Sequence, residues 1–301
     1  MQIDAMTQRI ASDGGFIAAL DQSGGSTPKA LRGYGIEEGA WSDEQEMFAL
    51  IHDMRARIIT SPAFTGDKVI GAILFERTMD GEAGGTPVPQ VLRDKGVVPF
   101  LKIDKGLEEE ADGVQLMKPI PGLDALLDRA AALGIFGTKE RSVINGANRD
   151  GIARVVAQQF AVAGQVLAKG LMPIIEPEVN IKSPERDAAD RLLLEELLAA
   201  LDDDASGPRV MLKLSLPAEP GLFQPLVDHP RVLRVVALSG GFGRREACVE
   251  LAKNPGVIAS FSRALLSDLR HGMSDEAFDR ALGEAVDEIH AASVAQAPAH
   301  A

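Results

Sequence analysis

The sequence predicts an α/β protein, a single (β/α)8 TIM barrel with an extra N-terminal and a C-terminal helix. Two observations carry this prediction. Eight short apolar runs alternate with helical patterns along the 301 residues, and eight is the strand count of such a barrel. Seven of the runs hold a polar or charged residue near their C-terminal end, where active groups of barrels lie. No flexible linker divides the chain, so residues 1–301 are expected to form one domain, with 296–301 as a frayed tail.

The predicted strands are short, rich in β-branched or aromatic residues, and in chain order they are 16–21, 69–75, 98–104, 136–141, 171–178, 210–216, 233–239 and 257–263. Helical patterns are clearest at 121–133, 149–168 and 185–202, where apolar residues recur at helical spacing. A long helix is predicted from about 274 to 294, and Ser274 is a suitable N-cap.

The polar residues near the strand ends share a face, because side chains of a strand alternate between its two faces. On this alternation the inward-facing set is Asp21 on strand one, Lys102 and Asp104 on strand three, Lys139 and Arg141 on strand four, Glu176 and Glu178 on strand five, Lys213 on strand six, Ser239 on strand seven and Arg263 on strand eight. Charges at a strand end are common on their own, but the shared face on strands three to five favours an active site.

Lys213 is the most informative member of this set. Val210, Leu212 and Leu214 alternate with it along a strand that reads as buried, and a buried lysine is costly unless it is paired or neutral. A neutral lysine amine is the nucleophile that forms a Schiff base with a carbonyl. The alternative is an edge strand whose lysine is solvated.

Cations and glycine-rich turns predict an anionic ligand. The strand ends gather five cations in an acidic chain, which would make a local positive cleft. Ser239-Gly240-Gly241 follows strand seven, and Ser23 to Ser26 follow strand one and open a helix. Backbone N–H groups at such turns bind phosphate. Two turns of this kind predict a substrate that is phosphorylated at both ends.

Composition argues against several other classes. The net charge of −13 argues against nucleic acid and against an anionic membrane surface as partners. The single cysteine, Cys248, fits a reducing cytoplasm, and we expect neither a signal peptide nor a membrane span. The five histidines are scattered, with no metal-ligand spacing, and no nucleotide motif occurs, so we expect no metal and no cofactor.

Taken together, the segments that carry these residues resemble the class I fructose-bisphosphate aldolases, and their sequences are similar to the bacterial branch of that family. The matching segments are residues 18–26, 73–76, 102–106, 139–141, 173–178, 211–214, 238–241 and 261–265, in family order. The resemblance implies a cytoplasmic, metal-independent lyase of glycolysis that cleaves fructose 1,6-bisphosphate. It leaves a homo-oligomer open. Unlike animal members, this sequence does not end in a tyrosine.

The resemblance also implies roles. Lys213 would form the Schiff base, and Glu176 would be the acid/base that dehydrates the carbinolamine. Asp21 would be the base at the C4 hydroxyl, with Lys139 supporting carbinolamine chemistry and Glu178 orienting a lysine. Ser239, Gly240, Gly241 and Arg263 would hold the C1 phosphate, whereas Ser23, Ser26, Lys102 and Arg141 would lie near the C6 phosphate.

Two other functions remain open at this point. One is another Schiff-base aldolase, acting on a singly phosphorylated sugar. The other is a sugar-phosphate-binding or surface-displayed protein without catalysis, although the set of Lys213, Glu176, Asp21 and Lys139 favours an enzyme.

Overall fold

Eight parallel strands form the barrel that the sequence predicts. The computed structural model describes residues 1–295, and the predicted frayed tail, 296–301, lies outside the described residues. The barrel strands are β1 (Phe16–Leu20), β2 (Val69–Leu74), β3 (Val98–Lys102), β4 (Gly137–Ile144), β5 (Met172–Val179), β6 (Val210–Ser215), β7 (Val232–Leu238) and β8 (Ile258–Ala259). They pair in chain order, and the Ala19 N–H closes the ring by donating to the Phe261 carbonyl at 3.1 Å.

Helices follow the strands and pack around the barrel. Within residues 1–295 they are α1 (Ile3–Ser12), α2 (Ser26–Gly33), α3 (Glu44–Thr60), α4 (Glu76–Met79), α5 (Val88–Asp94), α6 (Leu123–Ala132), α7 (Arg149–Ala168), α8 (Arg186–Asp202), α9 (Gln224–Val227), α10 (Arg244–Leu251), α11 (Arg263–Leu266) and α12 (Asp275–Val294), with a 3₁₀ turn at Glu38–Ala40. Ser274 caps α12 as predicted, because its side chain accepts a hydrogen bond from the Ala277 N–H. None of the described helices is both long and apolar enough to span a membrane.

Two strand boundaries differ from the prediction by more than two residues. Strand β4 continues to Ile144, where it pairs with Val179 of β5 and, in antiparallel fashion, with the short strand Val114–Gln115. Strand β8 ends at Ala259, so Arg263 lies at the first position of α11 and not in the predicted strand 257–263. Pairing beyond Ala259 is limited to single hydrogen bonds such as that from the Ser260 N–H to the Ala237 carbonyl, which is too little to continue a ladder. The structure also contains a short hairpin of Glu82–Ala83 with Thr86–Pro87, which was not predicted.

The barrel is closed at its N-terminal end and open at the other. Its interior holds apolar side chains such as Ile17, Phe100 and Met211, and α1 adds Met6 and Ile10 to them. Since α1 covers that end, a ligand can enter only from the C-terminal ends of the strands. The last helix, α12, finishes beside Gly14, which precedes β1, so the chain leaves α12 at the closed end.

Candidate active site

A cavity of about 1030 Å³ opens at the C-terminal ends of the strands. The predicted site residues lie at this mouth, on the barrel strands or in the segments that follow them. The cavity lining includes Asp21, Ser23, Ser26, Lys102, Lys139, Arg141, Glu176, Glu178, Lys213, Ser239, Gly240 and Arg263. Gly241, the remaining predicted residue, follows Gly240 directly in the turn after β7.

Four buried side chains form an ionic chain at the base of the cavity. Glu176 of β5 lies between two lysines, with Oε1 at 3.1 Å from Lys213 Nζ and Oε2 at 2.9 Å from Lys139 Nζ. Lys139 Nζ also lies 2.7 Å from Asp21 Oδ2. Lys213 is 3% exposed and its strand has neighbours on both sides, which excludes the solvated edge-strand alternative.

The charges in this chain stabilise one another. Burial alone would raise the pKa of Asp21, but the nearby Lys139 and Lys213 ammonium groups hold it below its usual range. The same two cations hold the pKa of Glu176 down against its burial. Burial would lower the pKa of Lys139, yet the carboxylates of Asp21 and Glu176 hold it above its usual range. Lys139 is therefore an ammonium at neutral pH and cannot act as a nucleophile.

The remaining charged residues of strands β3 to β5 are also paired. Lys102 Nζ donates to Asp104 Oδ1 at 2.6 Å, and burial lowers the pKa of Lys102. Arg141 pairs with Glu178. Glu178 therefore contacts a guanidinium, and the expectation that it orients a lysine stays a prediction.

The turn after β7 requires glycine. Gly240 and Gly241 have φ angles of +59° and +131°, which side chains with a Cβ rarely adopt. A Cβ on Gly240 would also lie 2.7 Å from Ile181 Cγ2. At Gly241 a Cβ would lie 3.8 Å from Arg263 Nη2, so the guanidinium of Arg263 lies beside the turn. This combination of exposed backbone and cation suits a phosphate group.

The loop after β1 is held from behind by a residue that was not predicted. The Ser23 N–H donates to Ser26 Oγ at 2.9 Å, which folds the loop at the start of α2. Arg55 of α3 is buried, and it donates to the Gln22 carbonyl and, at 2.9 Å, to Thr78 Oγ1. Burial lowers the pKa of Arg55 to about 10. A sequence signal for Arg55 existed, because it falls on the apolar stripe of α3 formed by Ile51 and Ile58.

Two further buried polar residues lie behind the strands. Gln159 interrupts the apolar stripe of α7, and its Oε1 accepts a hydrogen bond from the Glu176 N–H at 2.8 Å. Glu140 lies between Lys139 and Arg141 on β4 but belongs to the opposite face. Burial, and after it the charge of Asp104, holds the pKa of Glu140 well above its usual range. Helical and strand periodicity could have identified both residues as polar groups at buried positions.

The described residues contain no cluster of three or more His, Cys, Asp or Glu side chains arranged to hold a metal ion. The carboxylates of the cavity are instead paired with lysine and arginine. The arrangement can place an amine, a carboxylate pair and two phosphate-binding regions around one substrate.

Comparison with known proteins agrees with this arrangement. Residues 2–212 match the family model described as fructose-bisphosphate aldolase class-I. The fold is similar to a solved structure of fructose-bisphosphate aldolase from Plasmodium falciparum in complex with TRAP and a small-molecule inhibitor, with a TM-score of 0.80 and 21% identity over 98% of this chain and 94% of that one.

Two other solved structures are more distant. A putative orotidine-monophosphate decarboxylase from Toxoplasma gondii has a TM-score of 0.44 and 15% identity over 98% of this chain and 97% of that one. A sugar phosphate isomerase/epimerase from Parabacteroides distasonis has a TM-score of 0.46 and 13% identity over 93% and 96% of the two chains.

Proposed function

The chain belongs to the class I fructose-bisphosphate aldolase family, and from that premise we propose that it cleaves fructose 1,6-bisphosphate reversibly through a Schiff base on Lys213. The products are dihydroxyacetone phosphate and glyceraldehyde 3-phosphate. One observation carries the proposal. Glu176 contacts both buried lysines, but only Lys139 is also paired with Asp21, so the two lysines have different tasks.

The first step joins the substrate to the protein. Lys213 gives a proton to the Glu176 carboxylate, and the resulting amine attacks the C2 carbonyl. Glu176 then passes that proton to the carbinolamine hydroxyl group, which leaves as water and gives the iminium. Glu176 is suited to this task because Oε1 already lies 3.1 Å from the lysine nitrogen. Lys139 remains an ammonium, which stabilises negative charge on the substrate oxygen and on Glu176.

The second step breaks the C3–C4 bond. Asp21 accepts the C4 hydroxyl proton, the C4 oxygen becomes the carbonyl of the departing aldehyde, and the bonding electrons pass into the iminium to form an enamine. C3 then takes up a proton, which we assign to Glu176 or to a water molecule that it orients, and Asp21 gives up the proton that it accepted, so that the two transfers balance. Hydrolysis of the iminium releases dihydroxyacetone phosphate and restores the Lys213 amine.

Two regions of the mouth support a substrate with a phosphate at each end. We assign the C1 phosphate to the turn of Ser239 to Gly241 with Arg263, and the C6 phosphate to the region of Ser23, Ser26, Lys102 and Arg141. In the second region the cations are already paired with Asp104 and Glu178. Their contribution to phosphate binding therefore requires those pairs to be shared or exchanged.

Covalent trapping tests the proposal. We expect incubation with dihydroxyacetone phosphate and borohydride to fix a triose phosphate on Lys213, as read by peptide mass spectrometry. No label should form in the Lys213→Met variant, whereas in Lys139→Met the label should form on Lys213 more slowly than in the wild type. A label on Lys139 in the wild-type chain, or no label with the wild-type chain, would overturn the proposal.

A second assay separates the aldolase alternatives. If the protein prefers a bisphosphate, its kcat/KM for fructose 1,6-bisphosphate should exceed that for fructose 1-phosphate by at least tenfold, because the second phosphate adds about 1.5 kcal/mol or more of charged contact. Equal kcat/KM values for the two sugars would favour the alternative, a Schiff-base aldolase that acts on a singly phosphorylated sugar.

A further inference from the structure

The ladder between β5 and β6 stops short of the mouth. These strands pair only at Ile174–Met211 and Ile175–Leu212. On either side the ladders continue, from β4 to β5 as far as Ile144–Val179 and from β6 to β7 as far as Ser215–Leu238. Residues 176–179 of β5 and 213–215 of β6 are therefore not paired with each other, and we call these two segments the seam. Glu176 and Lys213 are its first residues.

Side-chain hydrogen bonds reach the backbone of β5 at both ends of the seam. At its outer end Ser215 Oγ donates to the Val179 carbonyl at 2.6 Å. At its inner end the Glu176 N–H donates to Gln159 Oε1 at 2.8 Å, although Gln159 belongs to helix α7. Both hydrogen bonds are buried, so a lost partner could not be replaced by bulk water.

Glu176 therefore has an acceptor from helix α7 in addition to its pairing with Arg141 of β4. We propose that Gln159 is a positioning residue, which holds the backbone of Glu176 so that its carboxylate stands between the amines of Lys213 and Lys139. This inference rests on the proposed function, because it concerns the rate at which Glu176 transfers protons to the Lys213 adduct.

The layer around Gln159 fits a polar support without an added charge. On the outer face of β4, Thr138, Glu140 and Ser142 are all buried, and helix α7 packs on β4 and β5. Burial holds the pKa of Glu140 well above its usual range, which favours its neutral form. In that form Glu140 leaves the charge balance of the Glu176 pair undisturbed.

The test replaces Gln159 by methionine, which removes the hydrogen-bond acceptor and keeps much of the side-chain volume. Gln159→Met should lower kcat for fructose 1,6-bisphosphate, and the rate of borohydride-trapped adduct formation, by about 10- to 100-fold, because a displacement of about 1 Å at a reacting group has that effect. KM should stay within about twofold, since no substrate contact is lost. Gln159→Glu keeps an acceptor oxygen at the same reach and should restore most of the rate.

Gln158 provides a matched control on the same helix. Its amide also bonds a backbone, accepting from the Met117 N–H and donating to the Met117 carbonyl, each at 2.9 Å. Gln158→Met should lower thermal stability but leave kcat within about twofold of the wild type. If Gln159→Met does not fold, Gln159→Asn, whose amide is too short to reach Glu176, is judged by the same criteria.

The outcomes distinguish a failure of the proposed aldolase activity from a failure of the proposed role of Gln159. A wild-type chain that neither cleaves the bisphosphate nor forms the Lys213 adduct overturns the proposed function. A wild-type adduct that Gln159→Met forms equally fast overturns the role of Gln159 alone. Equal losses of kcat in Gln158→Met and Gln159→Met would likewise reduce Gln159 to a structural residue.

Discussion

Replacing Lys139 by methionine should destabilise the protein and reverse part of its response to pH. The Nζ of Lys139 lies 2.7 Å from Asp21, 2.9 Å from Glu176 and 3.9 Å from Asp104. Lys139→Met keeps much of the side-chain volume but leaves these carboxylates without their shared cation. The variant therefore isolates the charge from the packing.

The expected loss follows from burial and distance. A contact between unit charges at about 4 Å contributes roughly 4 kcal/mol of gross Coulomb energy at an effective dielectric constant near 20, before desolvation is counted. Removing one partner of a buried pair costs about 3–5 kcal/mol net. A loss of that size is a large part of the about 5–15 kcal/mol by which a domain is usually stable.

The sign of the pH dependence distinguishes this mechanism from simple loss of packing. In the wild type the pKa values of Asp21 and Glu176 are lowered, so their stabilising contribution is present above the unfolded-state pKa values and is lost as the pH falls. Without Lys139, burial is the larger influence and should raise both pKa values. The variant should then recover stability relative to the wild type as the pH falls from 7 to 5.

Urea unfolding of both proteins at pH 7 and pH 5 provides the measurement, with the slope of the unfolding free energy checked for two-state behaviour. A loss below about 1 kcal/mol at pH 7, or a difference between variant and wild type that does not change with pH, would refute the reasoning. In that case the carboxylates would have access to water or to other cations.

Three further predictions follow from the structure. Burial raises the pKa of Asp190 in α8 from 3.8 to about 6, so its stabilising contribution is complete at low pH and is lost as the pH rises through about 6. Asp190→Asn should remove about 1 kcal/mol of the wild-type gain in unfolding free energy between pH 7 and pH 5, and parallel pH profiles would contradict this. Arg263→Ala should mainly raise KM by about 10- to 100-fold, whereas Glu176→Gln should mainly lower kcat by about 10²- to 10⁴-fold; steady-state kinetics showing the reverse would exchange their roles. Deleting residues 296–301 should leave cleavage and enamine proton exchange within about twofold, a change of about 0.4 kcal/mol in barrier, because α12 ends at the closed end of the barrel; a selective loss of proton exchange would show that the tail takes part.

Local patterns in the sequence predicted the barrel, because each strand can be recognised from a short run of neighbouring residues. Lys213 illustrates this, since the alternation around it assigns Val210 and Leu212 to the outer layer and Met211 to the interior, as the structure confirms. The pairing of Val114–Gln115 with β4 was missed because it joins residues far apart in the sequence, Val114 with Ile144 and Gln115 with Val143. Such a contact leaves no periodic trace.

The same limit applies to the site. Strand parity predicted which residues face the mouth, because facing is a local property of a strand. It could not predict that Glu178 pairs with Arg141, or that Lys139 and Lys213 share Glu176, since those choices depend on distances between strands. Gln159 lies one step further away, because its partner is a backbone group of another element.

Charge conservation explains why this set of buried groups suits a Schiff base. With all groups ionised, three cations and three carboxylates balance at the base of the cavity: Lys102, Lys139 and Lys213 against Asp21, Asp104 and Glu176. In the proposed mechanism an iminium on Lys213 carries the same single positive charge as the ammonium that it replaces. The covalent intermediate therefore leaves Glu176 with its counter-charge, and no uncompensated charge is buried, which would cost several kcal/mol. Lys139 is less suited as the nucleophile, because its attack would require removal of a proton that both Asp21 and Glu176 stabilise, whereas Lys213 is paired with Glu176.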